Sequence, residues 1–148
     1  MEQQSVASVS APNLGRQAPL VVVAAAIVQE GRLLVVSKQA APEIFYLPGG
    51  KPDAGEEPMK ALARELDEEL GVVPLEPHFL MDVEAVAALE GVPMKMTVFG
   101  AQIDRIPLPA AELADMRWTT GRESDLQLAP AVRDHVLPLL RESGALAG

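Results

Sequence analysis

Apolar residues recur at two different spacings along this chain, and the change from one to the other marks its elements. Residues 20–29 are rich in Val and Ala and carry no charge, as a strand buried on both faces would. Glu30-Gly31-Arg32 predicts a tight turn into residues 33–37, making a hairpin with Lys38 at the end of its second strand. Residues 44–47 predict a short strand whose exit is set by Pro48, Gly49 and Gly50. The period then lengthens: Met59, Leu62, Leu66 and Leu70 fall three and four residues apart, on one stripe of a helix that must face a core. Pro58 suits the first helical position, where no N–H is lost, and Gly71 suits the left-handed residue that closes the last turn. Glu57 takes the N-cap, where Ser, Thr, Asp or Asn would serve better; this costs the helix start about 1 kcal/mol.

Beyond the helix, Pro74 and Pro77 predict a break. Alternation returns over residues 79–87, with Asp82 and Glu84 turned to water, and residues 88–91 turn the chain. Residues 93–103 pair back, with Met94, Met96, Val98 and Gly100 on one side and Lys95, Thr97 and Phe99 on the other. Residues 108–114 read as a loop or helical turn and 116–119 as a short strand. Residues 130–140 read as a terminal helix carrying Val132, His135, Val136 and Leu139 or Leu140 at helical spacing. No fixed period repeats. This order predicts an α+β class, an α/β/α sandwich with a mixed β-sheet flanked by helices. Residues 1–18, polar and aperiodic, read as a flexible arm, and 19–148 as one domain.

Composition narrows the function. The chain has 49% apolar and 22% charged residues, which reads as a soluble globular protein, and no cysteine, which removes disulfides, zinc-thiolate sites and thiol nucleophiles. A cytoplasmic setting fits that, and no secretory signal or membrane-spanning run is seen. A net charge of −9 argues against polymeric nucleic acid, whose binding rests on Lys and Arg contacts to phosphate.

The predicted helix carries more carboxylate than packing needs. Glu65 lies three residues before Glu68 and four before Glu69, so all three project from one face and can converge. Like charges so placed cost a few tenths of a kcal/mol per pair. Taken alone, the face fits either a solvated acidic helix or a site for Mg²⁺ or Mn²⁺, which take hard oxygen ligands and substrate phosphate. Seven acidic residues fall between Gly50 and Val72, so a polyphosphate would be repelled unless divalent cations intervened. Arg64 is placed to pair with Glu56 or a neighbouring Glu and hold it in one rotamer.

The spacing decides between the two. A Gly, five residues, a Glu, seven residues, then Arg-Glu, an aliphatic, any residue, Glu-Glu, any residue, Gly and an aliphatic is the box of the Nudix hydrolase family. Gly50, Glu56, Arg64, Glu65, Leu66, Glu68, Glu69, Gly71 and Val72 fill every specified position. The chain therefore resembles that family, and the resemblance implies a Nudix fold and a metal-dependent pyrophosphohydrolase.

It also implies roles. Glu65, Glu68, Glu69 and the Gly49 carbonyl would hold Mg²⁺ or Mn²⁺, lowering the pKa of a bound water. Glu68, Glu69, Glu112 and Arg64 are the catalytic candidates, Glu112 because it lies six residues before Trp118; the proton acceptor is Glu68 or Glu112. Glu56 would orient. Lys38, Tyr46, Gly50 and Lys51 are substrate-binding candidates: the lysines for phosphate, Gly50 for close backbone approach, and Tyr46 for base stacking. Phe45 and Tyr46 alternate, so one faces the core and the other a cavity. His78 and His135 read as structural.

The expected partner is a small-molecule nucleotide, with no polymeric nucleic acid and no membrane; a homodimer is allowed for. By elimination of prenyl diphosphate, coenzyme A, ADP-ribose and dinucleoside polyphosphate markers, the expected substrate is a (deoxy)nucleoside triphosphate, cleaved to monophosphate and pyrophosphate. A Nudix-fold isomerase would call for a cysteine that is absent. A nucleotide sensor that binds without cleaving would be expected to have lost box glutamates, and all are present.

Overall fold

The computed structural model describes residues 19–147; the arm expected over 1–18 lies outside them. Nine strands and two helices occur in the order β1 (Leu20–Ala26), β2 (Val28–Gln29), β3 (Arg32–Lys38), β4 (Ala41–Tyr46), β5 (Gly49–Gly50), α1 (Pro58–Leu70), β6 (Pro74–Val86), β7 (Pro93–Ile103), β8 (Leu113–Thr119), β9 (Gln127–Leu128) and α2 (Leu137–Glu142), with a π-helical turn, Val132–Val136, leading into α2. The strands make two mixed sheets rather than one. The first runs β5-β1-β7-β6; the second runs β2-β3-β4-β9, with β8 also paired to β3. β1 is parallel to β7 and antiparallel to β5, and β4 is parallel to β9.

From Val23 to Ala26 β1 is buried on both faces, as its uncharged Val-Ala run predicts, while Val21 nearer its start is exposed. Val23, Ala25 and Ile27 pack with Leu34, Val36 and the α1 stripe Leu62, Leu66 and Leu70. Ala24 and Ala26 face the other way, onto Leu33, Val35 and the C-terminal helical segment through Val132, Val136 and Leu140. The middle layer is thus clamped between α1 and the chain's last helix, giving the α/β/α sandwich.

Helix α1 begins at Pro58 and closes on Gly71, whose φ of 68° is left-handed and whose N–H bonds the Asp67 carbonyl; Glu57 gives no side-chain cap. Three leucines of the stripe are fully buried, each contributing about 2 kcal/mol, while Met59 sits at the rim.

Four expectations need correction. The exit that Pro48, Gly49 and Gly50 set for residues 44–47 is no mere end of a strand: Gly49 and Gly50 pair with β1 as a strand of their own, because without side chains they can lie flat against its backbone. Pro74 and Pro77 do not break the chain: β6 starts at Pro74, since an edge strand has unpaired N–H positions where proline loses nothing, and two register shifts absorb the irregularity. β8 starts at Leu113 rather than at residue 116 because the β3 ladder extends to Lys38. The terminal helix is interrupted: Pro138 has no N–H for the carbonyl four residues back, and the turn before it widens so that the Leu137 N–H reaches Val132. His135 is exposed there, outside the stripe.

Candidate active site

Helix α1 delivers its carboxylates to β5, and the two glycines make that approach close. A β-carbon at Gly50 would lie 2.4 Å from the Glu65 carboxyl carbon, and one at Gly49 would lie 2.1 Å from the Val23 carbonyl oxygen. Only residues without side chains fit between the helix and β1. The Gly49 N–H donates to Glu69 at 3.2 Å.

The three box glutamates differ in setting. Glu69 is buried at 4% exposure, Glu65 is half-buried and Glu68 is exposed. Burial pushes the Glu69 carboxyl up to about 7; Glu65 and Glu112 push the same way, against the Gly49 N–H and Lys38. Glu65 is raised too, first by burial, with Arg64 opposing.

Arg64 ties the acidic groups together. Its fork meets Glu56 at 3.1 Å and 2.9 Å, while Nη1 reaches Glu65 at 3.1 Å and Glu68 at 3.7 Å. Nη2 also donates to the Lys51 carbonyl at 3.1 Å. The hydrogen bond from Arg64, aided by the Asp53 N–H at 2.8 Å, holds the Glu56 carboxyl down at about 2. Glu56 is therefore ionised and locked to the strand-to-helix loop.

The segment after β7 is pinned to the C-terminal end of α1. The Ala110 N–H donates to the Glu69 carbonyl at 2.8 Å and the Leu108 N–H to the Leu70 carbonyl at 3.1 Å, satisfying carbonyls a helix end leaves open. This brings Glu112 to the site, where it pairs with Lys38 at 3.2 Å. Lys38 Nζ also lies 6.0 Å from the centre of the Tyr46 ring. Phe45 is in the core and Tyr46 borders a cavity, as alternation requires. Burial raises the Tyr46 phenol above its ordinary range, helped by Glu69, Glu112 and Glu90, and its buried Oη has no partner.

That cavity, about 120 Å³, runs from Gly49, Gly50 and Lys51 under the β6–β7 turn, between β1, β7 and the start of the C-terminal helical segment. Its apolar walls include Val22, Met94, Met96 and Val132. Sequence reading missed them: the alternation of Met94 and Met96 says that they face inward, but a core and a cavity give the same period.

The structure thus gathers Glu65, Glu69, Gly49, Gly50, Arg64 and Glu56 into one contact network, and Lys38, Tyr46 and Glu112 into a second beside it. Glu68 joins only through Arg64, and Lys51 through its carbonyl. The expected convergence is incomplete. Among the described residues no three acidic or histidine side chains are close enough to hold an ion, because Arg64 draws Glu65 and Glu68 one way and the Gly49 N–H draws Glu69 another. The donor set nonetheless suits a hard divalent cation: all oxygen, with the Glu65 carboxylate close against the bare backbone of Gly50 and a buried Glu69 carboxylate that, among the described residues, has no cationic partner within ion-pair distance. His78, lying against Gly100, and His135 are both exposed and outside these networks.

A carboxylate-bearing helix is thus laid against a glycine strand at the edge of a mixed sheet. The NUDIX domain family model matches residues 18–140, and the chain belongs to the Nudix family. Nudix hydrolases generally use divalent metal ions and act on small nucleotide substrates. Over 55 residues the chain is 51% identical to a Mycobacterium tuberculosis protein provisionally named 8-oxo-dGTP diphosphatase 2; the match spans 35% of this chain and 39% of the relative. The structure is similar to a MutT NUDIX hydrolase from Burkholderia pseudomallei, with a TM-score of 0.69 and 30% identity over 79% of this chain and 95% of that one. It is also similar to the E. coli ORF135 protein, with a TM-score of 0.66 and 26% identity over 90% and 94%. Among the described residues no helix is long and apolar enough to cross a membrane.

Proposed function

We propose that the protein hydrolyses a (deoxy)nucleoside triphosphate to the monophosphate and pyrophosphate, using Mg²⁺ or Mn²⁺. The observation that carries this reading is the contact of the Glu65 and Glu69 carboxylates with the bare backbone of Gly49 and Gly50, at the mouth of a cavity the size of a small organic group. Glu65, Glu68, Glu69 and the Gly49 carbonyl would hold the cation, which when bound neutralises the polyphosphate and acidifies water.

The remaining work falls to the chain itself. Arg64 fixes Glu56 and Glu65, so the acidic face is ordered before substrate arrives. Lys38 and Lys51 offer positive charge on the cavity side, where phosphate oxygens would otherwise meet only carboxylates. Water attacks an internal phosphorus, its proton passes to an outer carboxylate, Glu68 or Glu112, and the phosphorus–oxygen bond to the departing pyrophosphate breaks. The relative's name supports a triphosphate substrate over the stretch it matches.

The test is a panel of triphosphates, sugar nucleotides and dinucleotides, with products separated chromatographically. A triphosphate converted to monophosphate and pyrophosphate, with loss of turnover in EDTA and recovery with Mg²⁺ or Mn²⁺, is expected. A preference for ADP-ribose or a dinucleoside polyphosphate would overturn the substrate, and full activity in chelator would overturn the metal. Glu68→Gln and Glu112→Gln then assign the base: the variant that also loses the acidic limb of the pH–rate profile marks it.

A further inference from the structure

Glu112 reaches the site on a segment that is fixed in its backbone and loose in its side chain. The ladder between β3 and β8 slips by one residue after Ser37, so Lys38 lies opposite Leu113 and the Gln39 N–H donates to the Glu112 carbonyl at 2.9 Å. On the other side the Ala110 N–H holds the segment to the end of α1, and the Leu113 N–H closes a turn onto the Ala110 carbonyl at 3.1 Å. Between these anchors Ala111 takes a φ of 55°, a left-handed value that costs a residue with a β-carbon and persists only where its surroundings impose it. The Glu112 side chain, by contrast, is 65% exposed, and its one ion-pair partner among the described residues is Lys38, at 3.2 Å. Burial leads in raising the Glu69 and Glu65 carboxyls and Glu112 adds to both, so its charge is felt at the acidic network although its side chain is tied to β3; Lys38 opposes at Glu69.

We propose that Lys38 is a positioning residue for Glu112: it holds the carboxylate aside in the free protein, and a polyphosphate that draws the ammonium away frees Glu112 to turn to Glu65 and Glu69. The inference rests on the reading above, in which phosphate oxygens meet Lys38 and Glu112 is one of two candidate proton acceptors. Without a cation, three gathered carboxylates repel, which favours the paired arrangement until metal and phosphate arrive. An ion pair this open to water is weak, and a polyphosphate carries more charge than one carboxylate, so the exchange runs toward phosphate. Phosphate also binds a free ammonium better than a paired one, which is the difference in affinity that shifts such an equilibrium. Because the backbone is anchored on both sides, side-chain torsions suffice for the change.

The test begins with a cycle of Mn²⁺ affinities on the full chain without nucleotide, followed by electron paramagnetic resonance. Lys38→Met should tighten Mn²⁺ binding by about twofold to fivefold, the span of an exposed ion pair, because Glu112 is released. In a Glu112→Gln background the same substitution should lose most of that gain, and Lys38→Arg, which keeps the charge, should leave the affinity where it is. Equal tightening in both backgrounds would overturn the proposal, since loss of a positive charge near Glu69 would then account for it. Rates with the best substrate of the panel separate holding aside from holding ready. Lys38→Met should raise KM by about tenfold, as loss of a charge-assisted phosphate contact does, and lower kcat far less than Glu112→Gln. A kcat lowered as much by Lys38→Met as by Glu112→Gln would make the pair the working arrangement and overturn the proposal. An undiminished kcat in Glu112→Gln would overturn it too, leaving Lys38 nothing to position. Mn²⁺ binding is read without substrate, so a failed cycle overturns this inference alone, and inertness toward every triphosphate beside a working cycle overturns the substrate reading alone.

Discussion

Glu69 is held in a setting that suits function better than stability. A carboxylate at 4% exposure with a single N–H partner carries a desolvation cost that a neutral amide of the same shape would not. Glu69→Gln should therefore keep or raise the melting temperature in EDTA while lowering turnover by about a hundredfold or more; a fall of several degrees would show that the charge is structural. Glu123 is the opposite case. It accepts hydrogen bonds from the Thr119 and Thr120 hydroxyls and the Thr120 N–H, and the Thr119 bond leads in lowering its carboxyl from the ordinary 4.5 to about 2. A depressed value means that the folded form binds the proton less readily than the unfolded one, so the contribution is complete above about 4.5 and fades as pH falls toward 2. The melting-temperature difference between the wild type and Glu123→Gln should be full at pH 7 and shrink through that window. Arg64 and Glu56 could be paired from spacing alone, and the stripe itself separates Glu69 from Glu68: Glu69 follows Leu62 by seven residues and Leu66 by three, on the buried side of α1, while Glu68 falls on the far side and is exposed, a difference that reading all three carboxylates as one face passes over.

Element by element, legibility followed local chemistry. Helix α1 could be bounded at both ends because Pro58 and Gly71 act within one turn of where they sit, and its stripe was visible because three leucines share one face. β5 was not legible as a strand, since two glycines carry no pattern and their pairing with Val23 and Ala24 is decided far along the chain. The same holds for the π-helical turn, where periodicity runs on through a proline that the backbone must accommodate. The glycine strand gives the sharpest test. Gly50→Ala would drive a methyl group into the Glu65 carboxylate, shifting a side chain rather than the backbone. The protein should fold, with far-ultraviolet circular dichroism unchanged, and lose about a hundredfold in kcat/KM, the scale of an ångström of misplacement; near-normal activity would detach Glu65 from the reaction.

For the molecule as a whole, charge and core act on different sides of the balance. A net charge of −9, of which the Gly50–Val72 stretch with seven acidic and three basic residues carries −4, opposes compaction, and a bound divalent cation relieves part of it. Mg²⁺ at about a hundred times its Kd should add about 2.7 kcal/mol of stability and raise the calorimetric melting temperature by several degrees; NaCl at matched ionic strength should not. The sandwich was readable because two-sided burial of β1 and one-sided burial of α1 leave few ways to stack layers. The division into two sheets, and the cavity between β1, β7 and the C-terminal segment, were not, since both depend on how curved sheets meet.

The pairing of β5 with β1 reaches beyond the site itself. Val23 and Ala24 are ordinary core positions by burial, yet their backbone is the bed on which Gly49 and Gly50 lie. In a library of random variants, most substitutions there should unfold the protein, but the few that keep the core volume should yield a distinctive class of clones: abundant, soluble and correctly folded by every bulk measure, yet idle. A map of tolerated residues would then draw the outline of the active centre one strand deeper than the glycines that meet the carboxylates.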